Sequence, residues 1–286
     1  MLTKSELDEI EQTLIKTLVG EIKDIIDKTR KNMVIVEEKA DGDSATIADK
    51  QIGEIFDNLL PQLLPNSIVI QEESFNEKVF ENSKNSKHVW VVDPIDGTKA
   101  FRDPTNAEWC VGICLLEEYH PILSLVYIPE KWFEEPMLLS AHEYRKEIHN
   151  FGHPFKSPNP STKTKYVSHT HKDIQRNDNE NEIADLFENN ESIRAYAGHS
   201  TLVQFVDVAV NNNKVFSRRD ANIWDIIQSA YLIKKSGCEV YYANGEDVFP
   251  INPEKLIFKD NHLIMPFTIA SSKENKIKIL NKIKEK

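Results

Sequence analysis

Cysteine is scarce in this chain, three among 286 residues with no CxxC pair, so neither a disulfide framework nor a zinc finger is supported. Long apolar runs are missing as well. Stretches 89–92 and 110–116 fall far short of the roughly 20 residues that a helix needs to cross a bilayer. Basic residues are outnumbered, 35 Lys and Arg against 46 Asp and Glu, which gives a net charge of −11 and a pI near 5.4. Such a surface repels nucleic-acid backbone and anionic lipid at long range, so neither a nucleic-acid polymer nor a membrane is expected as partner. The opening Met1-Leu2-Thr3-Lys4-Ser5-Glu6 is polar and starts a helix rather than a signal peptide, and a reducing, cytoplasmic location is expected. What the chain does have is 40% hydrophobic residues, enough at this length to bury the core of one large domain or of two packed ones. An acidic protein that handles phosphates needs cations close by, which directs attention to clustered carboxylates.

Leu7, Ile10, Leu14, Leu18, Ile22, Ile25 and Ile26 recur at three-to-four spacing behind a Thr3-x-x-Glu6 capping box, and the spacing predicts one long amphipathic helix over 3–30. A second helical pattern runs through Ile52, Ile55, Phe56, Leu59 and Leu60, is expected to stop at Pro61, and carries Asp49 near its first turn. Short β-branched runs at 67–70, 88–92, 110–116 and 122–128 read as strands. The mixed segment 134–164, with turn signals at Gly152, Pro154, Pro158 and Pro160, reads as a junction. Beyond it, strands at 166–168, 215–217 and 239–241 alternate with helices near 200–210 and 224–235, while the acidic stretch 178–191 reads as surface. The expectation is a layered α/β fold with a metal-binding half over 1–155 and a second half over 156–286.

Carboxylates recur at the ends of these predicted elements. Glu72 and Glu73 follow the run ending at Ile70, and Asp93-Pro94-Ile95-Asp96-Gly97-Thr98 follows the run ending at Val92. Two neighbouring strands would then deliver acids to one sheet edge, where open α/β sheets commonly bind ligands. Two aspartates three apart around a proline can point at one centre, and the Ile95 carbonyl between them adds a hard oxygen. An all-oxygen set favours Mg²⁺ over zinc. Gly97 permits close backbone approach, and Thr98 offers a hydroxyl and an amide. Cys110 and Cys114, four apart on one strand face, read as core thiols rather than nucleophiles. His169, His171 and His199 read as isolated loop histidines.

Asp93-Pro94-Ile95-Asp96-Gly97-Thr98 resembles the D-P-I/L-D-G-S/T signature of the inositol monophosphatase superfamily. Glu72-Glu73-Ser74 is similar to the family's upstream E-E-S, Asn222-Ile223-Trp224-Asp225 to its W-D motif, and the segment from Lys39 to Asp49 to its K-x-D-x-S-x-x-T-x-A-D stretch, with Asp43 where serine is usual. The resemblance implies an αβαβα sandwich and a lithium-sensitive phosphomonoesterase. It implies that Glu72, Asp93, the Ile95 carbonyl, Asp96 and Asp225 hold two or three Mg²⁺ ions, that Asp49, Thr98 and Glu72 act on the attacking water, and that the Gly97 and Thr98 amides receive phosphate oxygens.

Within the superfamily, Lys99, the strand 121–129 and Asn222-Ile223-Trp224-Asp225 resemble the 3′(2′),5′-bisphosphate nucleotidase branch, which converts 3′-phosphoadenosine 5′-phosphate to AMP. Gly198-His199-Ser200-Thr201-Leu202 matches that branch's G-S-S-L-K only in part and lacks its lysine. Arg218 and Arg219 are the expected replacements, since guanidinium groups bind phosphate oxygens bidentately. Inositol monophosphatase and histidinol-phosphatase activities are the alternatives, as is a cation-dependent binding protein without turnover. The expected partner is a small phosphorylated metabolite, and a homodimer is left open.

Overall fold

The structure, a computed structural model, describes residues 1–32, 35–38, 44–133, 135–156, 165–170, 178–187, 193–196, 200–211 and 214–284. The amino-terminal layer is helical: α1 (Lys4–Thr17) and α2 (Lys23–Asn32) are joined by a π-helical turn over Leu18–Ile22. The single helix expected here is therefore interrupted, and the buried positions explain why. Leu14, Leu18, Ile22 and Ile26 are all buried at a strict spacing of four, which drifts off the face of a 3.6-residue helix unless a wider turn re-phases it. A short hairpin of β1 (Ile35–Glu38) and β2 (Ser44–Thr46) leads to α3 (Ile47–Leu63). Pro61 lies inside α3 rather than ending it. So near the helix end, the missing proline N–H removes one bond only.

A seven-stranded meander follows, with β3 (Ile68–Gln71), α4 (Glu77–Lys84), β4 (His88–Asp96), α5 (Thr98–Arg102), β5 (Cys110–Glu117), β6 (His120–Phe133), β7 (Glu135–His142), β8 (His149–Asn150) and β9 (His153–Pro154). Its strands lie in sequence order, with β3 parallel to β4 and every later pair antiparallel. The expected junction at 134–164 thus contains a full strand. Met137 to His142 are all buried, so β7 shows none of the alternation that marks a one-sided strand.

The remaining chain gives β10 (Lys165–Thr170), α6 (Asp178–Leu186), β11 (Ile193–Tyr196), α7 (Thr201–Asn211), β12 (Lys214–Arg218), α8 (Ile227–Lys235), β13 (Glu239–Tyr242), β14 (Ile257–Lys259), β15 (His262–Ile264), β16 (Thr268–Ser271) and α9 (Lys273–Lys284). Five of these strands form a second sheet in the order β11-β10-β12-β16-β13. The expected helix over 224–235 is split by Ile226, with a 3₁₀ turn Ile223–Asp225 ahead of α8.

Alternation along the strands assigns the layers. Trp90 and Val92 pack with Leu7, Ile52 and Phe56 on the outer helices, whereas Val89 and Val91 pack with Leu202 and Phe205 of α7 and Ile227 of α8. The same middle helices cover Val167, Phe216 and Val240 of the second sheet. That sheet's other face, Tyr166, Val215 and Ile269, packs with Ile183 of α6 and Ile279 of α9. The order is helix, sheet, helix, sheet, helix, an αβαβα sandwich. Gly112 makes the central contact close, because a Cβ there would lie 2.5 Å from Leu202 Cδ1. Cys110 and Cys114 are buried free thiols facing this middle layer. Among the described residues, no helix is long and apolar enough to cross a membrane.

Candidate active site

Asp93 and Asp96 lie three apart on β4, a spacing that puts side chains on opposite faces of a regular strand. They converge because the strand bulges: Asp93 pairs with Gly112 and Asp96 with Cys110, three steps on β4 against two on β5. The additional residue resets the alternation. In the parallel pairing of β3 with β4, Gln71 sits opposite Val92, so Glu72 leaves its strand at the level of Asp93. Asp225 arrives from the other half, in the 3₁₀ turn ahead of α8, where its Oδ2 accepts the Asn222 amide at 3.1 Å. Phe75 meets Trp224 edge-on at 5.2 Å between centroids, so an aromatic contact ties the loop of Glu72 to the turn of Asp225.

Ligand oxygens of Asp93, Asp96 and Asp225 all come within 4.8 Å of one another. Burial pushes the Asp93 carboxyl well above the usual range, and the charges of Glu72, Asp96, Asp225 and Asp49 push it further. Asp96 is raised to about 7 by burial and by Asp225, against hydrogen bonds from Ser200, Leu202 and Thr201 that hold it down. Both Asp93 oxygens are buried without a hydrogen-bond partner among the described residues. Orphaned, mutually repelling carboxylate oxygens are the donor set that a hard divalent cation satisfies, so the residues present fit Mg²⁺.

Asp49 lies beside this cluster with its two oxygens divided between tasks. Oδ2 accepts from the Thr46 amide at 2.7 Å and the Thr46 hydroxyl at 2.5 Å, closing the capping box of α3, while Oδ1 lies 3.3 Å from the Thr98 hydroxyl. Thr98 Oγ1 is also 3.1 Å from the Ile95 carbonyl oxygen. Gly97, at φ +89°, starts α5 in the left-handed region, and a Cβ on it would lie 2.9 Å from the Glu108 carbonyl oxygen.

The two arginines part company. Arg219 Nε lies 3.0 Å from Glu180 Oε2, an ion pair with a fully buried α6 carboxylate. That corrects the surface expectation at Glu180, which is held inside by a cation, while Asp178, Asn181 and Asp185 of the same stretch are exposed. Arg218, at the end of β12, has a buried Nε with no hydrogen-bond partner among the described residues. Burial lowers its pKa, opposed first by Asp225 and Asp96 and then by Asp220 and Glu180. Lys39 to Asp43, His171, His199 and the side chain of His169 lie outside the described residues.

The inositol monophosphatase family model matches residues 4–284. The chain belongs to this family. It is 36% identical over 96 residues to the 3′(2′),5′-bisphosphate nucleotidase CysQ of Haemophilus influenzae, covering 34% of this chain and 35% of that one. To CysQ of Escherichia coli it is 33% identical over 123 residues, 43% of this chain and 48% of that one. The matches thus span about a third to a half of the length of these curated relatives. Among solved structures, the IMPase of Thermotoga maritima superposes with a TM-score of 0.71 at 18% identity, over 97% of this chain and 98% of that one. A staphylococcal inositol monophosphatase superposes with a TM-score of 0.73 at 20% identity, over 98% and 96%.

Sequence reasoning placed Ser200 only in a partial motif match and missed its contact with Asp96, and it missed Glu108 and Gln204 of this family member altogether. Ser200 Oγ donates to Asp96 Oδ2 at 2.5 Å, and the buried Glu108 accepts from Gln204 of α7. A serine ahead of an apolar helical run is legible as a cap; its partner 104 residues away is not.

Proposed function

We propose that this inositol monophosphatase family member is a Mg²⁺-dependent phosphomonoesterase, with a 3′(2′),5′-bisphosphonucleotide as its substrate. The observation that carries the reading is the cluster of buried Asp93 and Asp96 with half-buried Asp225, with both Asp93 oxygens unpartnered among the described residues, beside Gly97 and Thr98. Glu72, Asp93, the Ile95 carbonyl, Asp96 and Asp225 would hold two or three ions. When bound, Mg²⁺ supplies screening of the phosphate charge, a more acidic water and stabilisation of the leaving alkoxide.

The chain's own residues do the rest. The Thr98 hydroxyl lies within reach of both Asp49 Oδ1 and the Ile95 carbonyl oxygen; turned to Asp49, it leaves its lone pairs to accept from the attacking water, and Asp49 draws the proton along that path. The water oxygen bonds to phosphorus as the ester P–O bond breaks, the leaving alkoxide takes a proton from solvent water, and Asp49 returns its proton to solvent. The Gly97 and Thr98 amides receive phosphate oxygens in their left-handed turn. Arg218 supplies a cation for the second phosphate, a task for which Arg219 is less suited because Glu180 already holds it. The CysQ relatives, named for this activity, support the choice of substrate, and a soluble metabolite fits a cytoplasmic setting.

Phosphate release from 3′-phosphoadenosine 5′-phosphate and from inositol 1-phosphate, each with Mg²⁺ and with excess chelator, tests the reading. Preference for the nucleotide, abolished by chelator and inhibited by Ca²⁺ and Li⁺, is the expected result. Full activity in chelator overturns the metal chemistry, and preference for inositol 1-phosphate overturns the substrate.

A further inference from the structure

Asp96 belongs to the first sheet, yet the groups that grip it come from the helix layer behind. Its Oδ2 accepts both the Ser200 hydroxyl and the Leu202 amide at 2.5 Å. Ser200 stands just ahead of α7, and its Oγ accepts the Val203 amide at 2.9 Å, so one hydroxyl caps the helix and donates to the acid. The Thr201 amide also bonds Asp96, and Ser200 itself sits in a tight place. Ser200 is fully buried, its amide lies 3.3 Å from the Glu108 carbonyl oxygen, and its Cβ lies 3.1 Å from where a Gly97 side chain would begin. Gln204, one turn further along α7, is tied to Glu108, so the start of the helix is pinned to the segment that follows α5.

We propose that Ser200 is a positioning residue for the metal centre: it fixes the rotation of the Asp96 carboxylate, committing Oδ2 to α7 and leaving the other oxygen oriented for Mg²⁺. The inference rests on the Mg²⁺ reading of the cluster. A carboxylate that turns freely must be ordered when the ion arrives, whereas one already held by a hydroxyl and an amide is ordered beforehand, and outer partners of this kind typically set metal affinity by about 10–100-fold.

Two substitutions separate positioning from capping. Alanine at a cap loses most of the helix-start stabilisation, whereas glycine caps nearly as well as serine; neither donates to Asp96. Titration calorimetry with Mg²⁺ on the full chain should therefore show Ser200→Ala and Ser200→Gly both binding about tenfold or more weakly than the wild type, while only Ser200→Ala melts clearly lower in chelator. If Ser200→Gly binds Mg²⁺ as the wild type does, the hydroxyl is a cap alone and the proposal is overturned, even where Ser200→Ala does not fold. A wild-type chain that binds no Mg²⁺ overturns the metal reading as well, which the variants alone cannot do.

Discussion

Among the described residues, two clusters bring three potential metal ligands within 4.8 Å, Asp8 with Glu11 and His142, and Asp93 with Asp96 and Asp225. In the first, the chain supplies its own cation. Arg145 Nη2 lies 3.0 Å from Asp8 Oδ1 and 2.5 Å from Glu11 Oε2, and its Nη1 donates to Glu11 Oε1 at 2.6 Å. His142 completes the set as a neutral ring, with Nε2 3.0 Å from Asp8 and Nδ1 accepting the Tyr144 amide at 3.3 Å. In the second cluster, both Asp93 oxygens lack a hydrogen-bond partner among the described residues. Similar ligands at similar spacing thus serve different ends: in the first cluster an arginine bonded to the acids staples α1 to the end of β7, whereas in the second Arg218 acts on Asp225 and Asp96 by its charge and both Asp93 oxygens fit the proposed external cation.

The sharpest contrast is between acids removed from each cluster. Asp96→Asn and Asp225→Asn should lower turnover by about a thousandfold or more, since the charge that holds the metal is gone, and should raise the melting temperature in chelator by relieving repulsion. Glu11→Gln should leave turnover within about twofold and cost up to about 3 kcal/mol of stability, because Arg145 loses a partner. Urea midpoints and phosphate release on the same preparations decide it. A fall in stability for all three variants would erase the distinction.

The arginines give the next effect in size. Arg218→Ala should lower kcat/KM for a bisphosphonucleotide about ten- to a hundredfold through a lost charge-assisted hydrogen bond, with less change for inositol 1-phosphate. Arg219→Ala should act mainly on stability, through Glu180. Equal kinetic losses on both substrates would count against a second-phosphate role for Arg218.

Opposite pH slopes are the smallest expected effect. Asp93 and Asp96 are raised on folding, Asp96 to about 7, so the stability that Asp96 contributes is present at acid pH and lost as pH rises through about 7, and that of Asp93 changes in the same direction. In chelator the chain should be less stable at pH 8 than at pH 5, Mg²⁺ should remove the difference, and Asp96→Asn should reduce it. His142 is lowered from 6.5 by burial and by Arg145, so its contribution is present above that pH and lost below it. His142→Gln should flatten that acid loss. An unchanged profile in either variant contradicts the assigned group.

Local chemistry was legible in the sequence and distant chemistry was not. Asp93 to Thr98 could be read because the acids, the turn and the glycine lie within six consecutive residues, and the outer helices because their apolar spacing is periodic. The strand β7 escaped because burial on both faces erases alternation. Arg218 and Arg219 were indistinguishable as neighbours until the fold brought Glu180 to one of them. The staple of Asp8, Glu11 and Arg145 joins residues 134 or more positions apart, and nothing in either local segment announces the other.

The bulge in β4 makes the proposed metal centre depend on a count as much as on composition. Between Asp93 and Asp96 the strand takes three steps where its partner takes two. Deleting one of the two intervening residues would leave both aspartates in the chain and slide the second out of its place opposite Cys110, away from the start of α7. In this segment the length of the spacer is therefore as informative as the letters, and a relative that kept both acids but changed their separation would have kept the motif and lost the geometry.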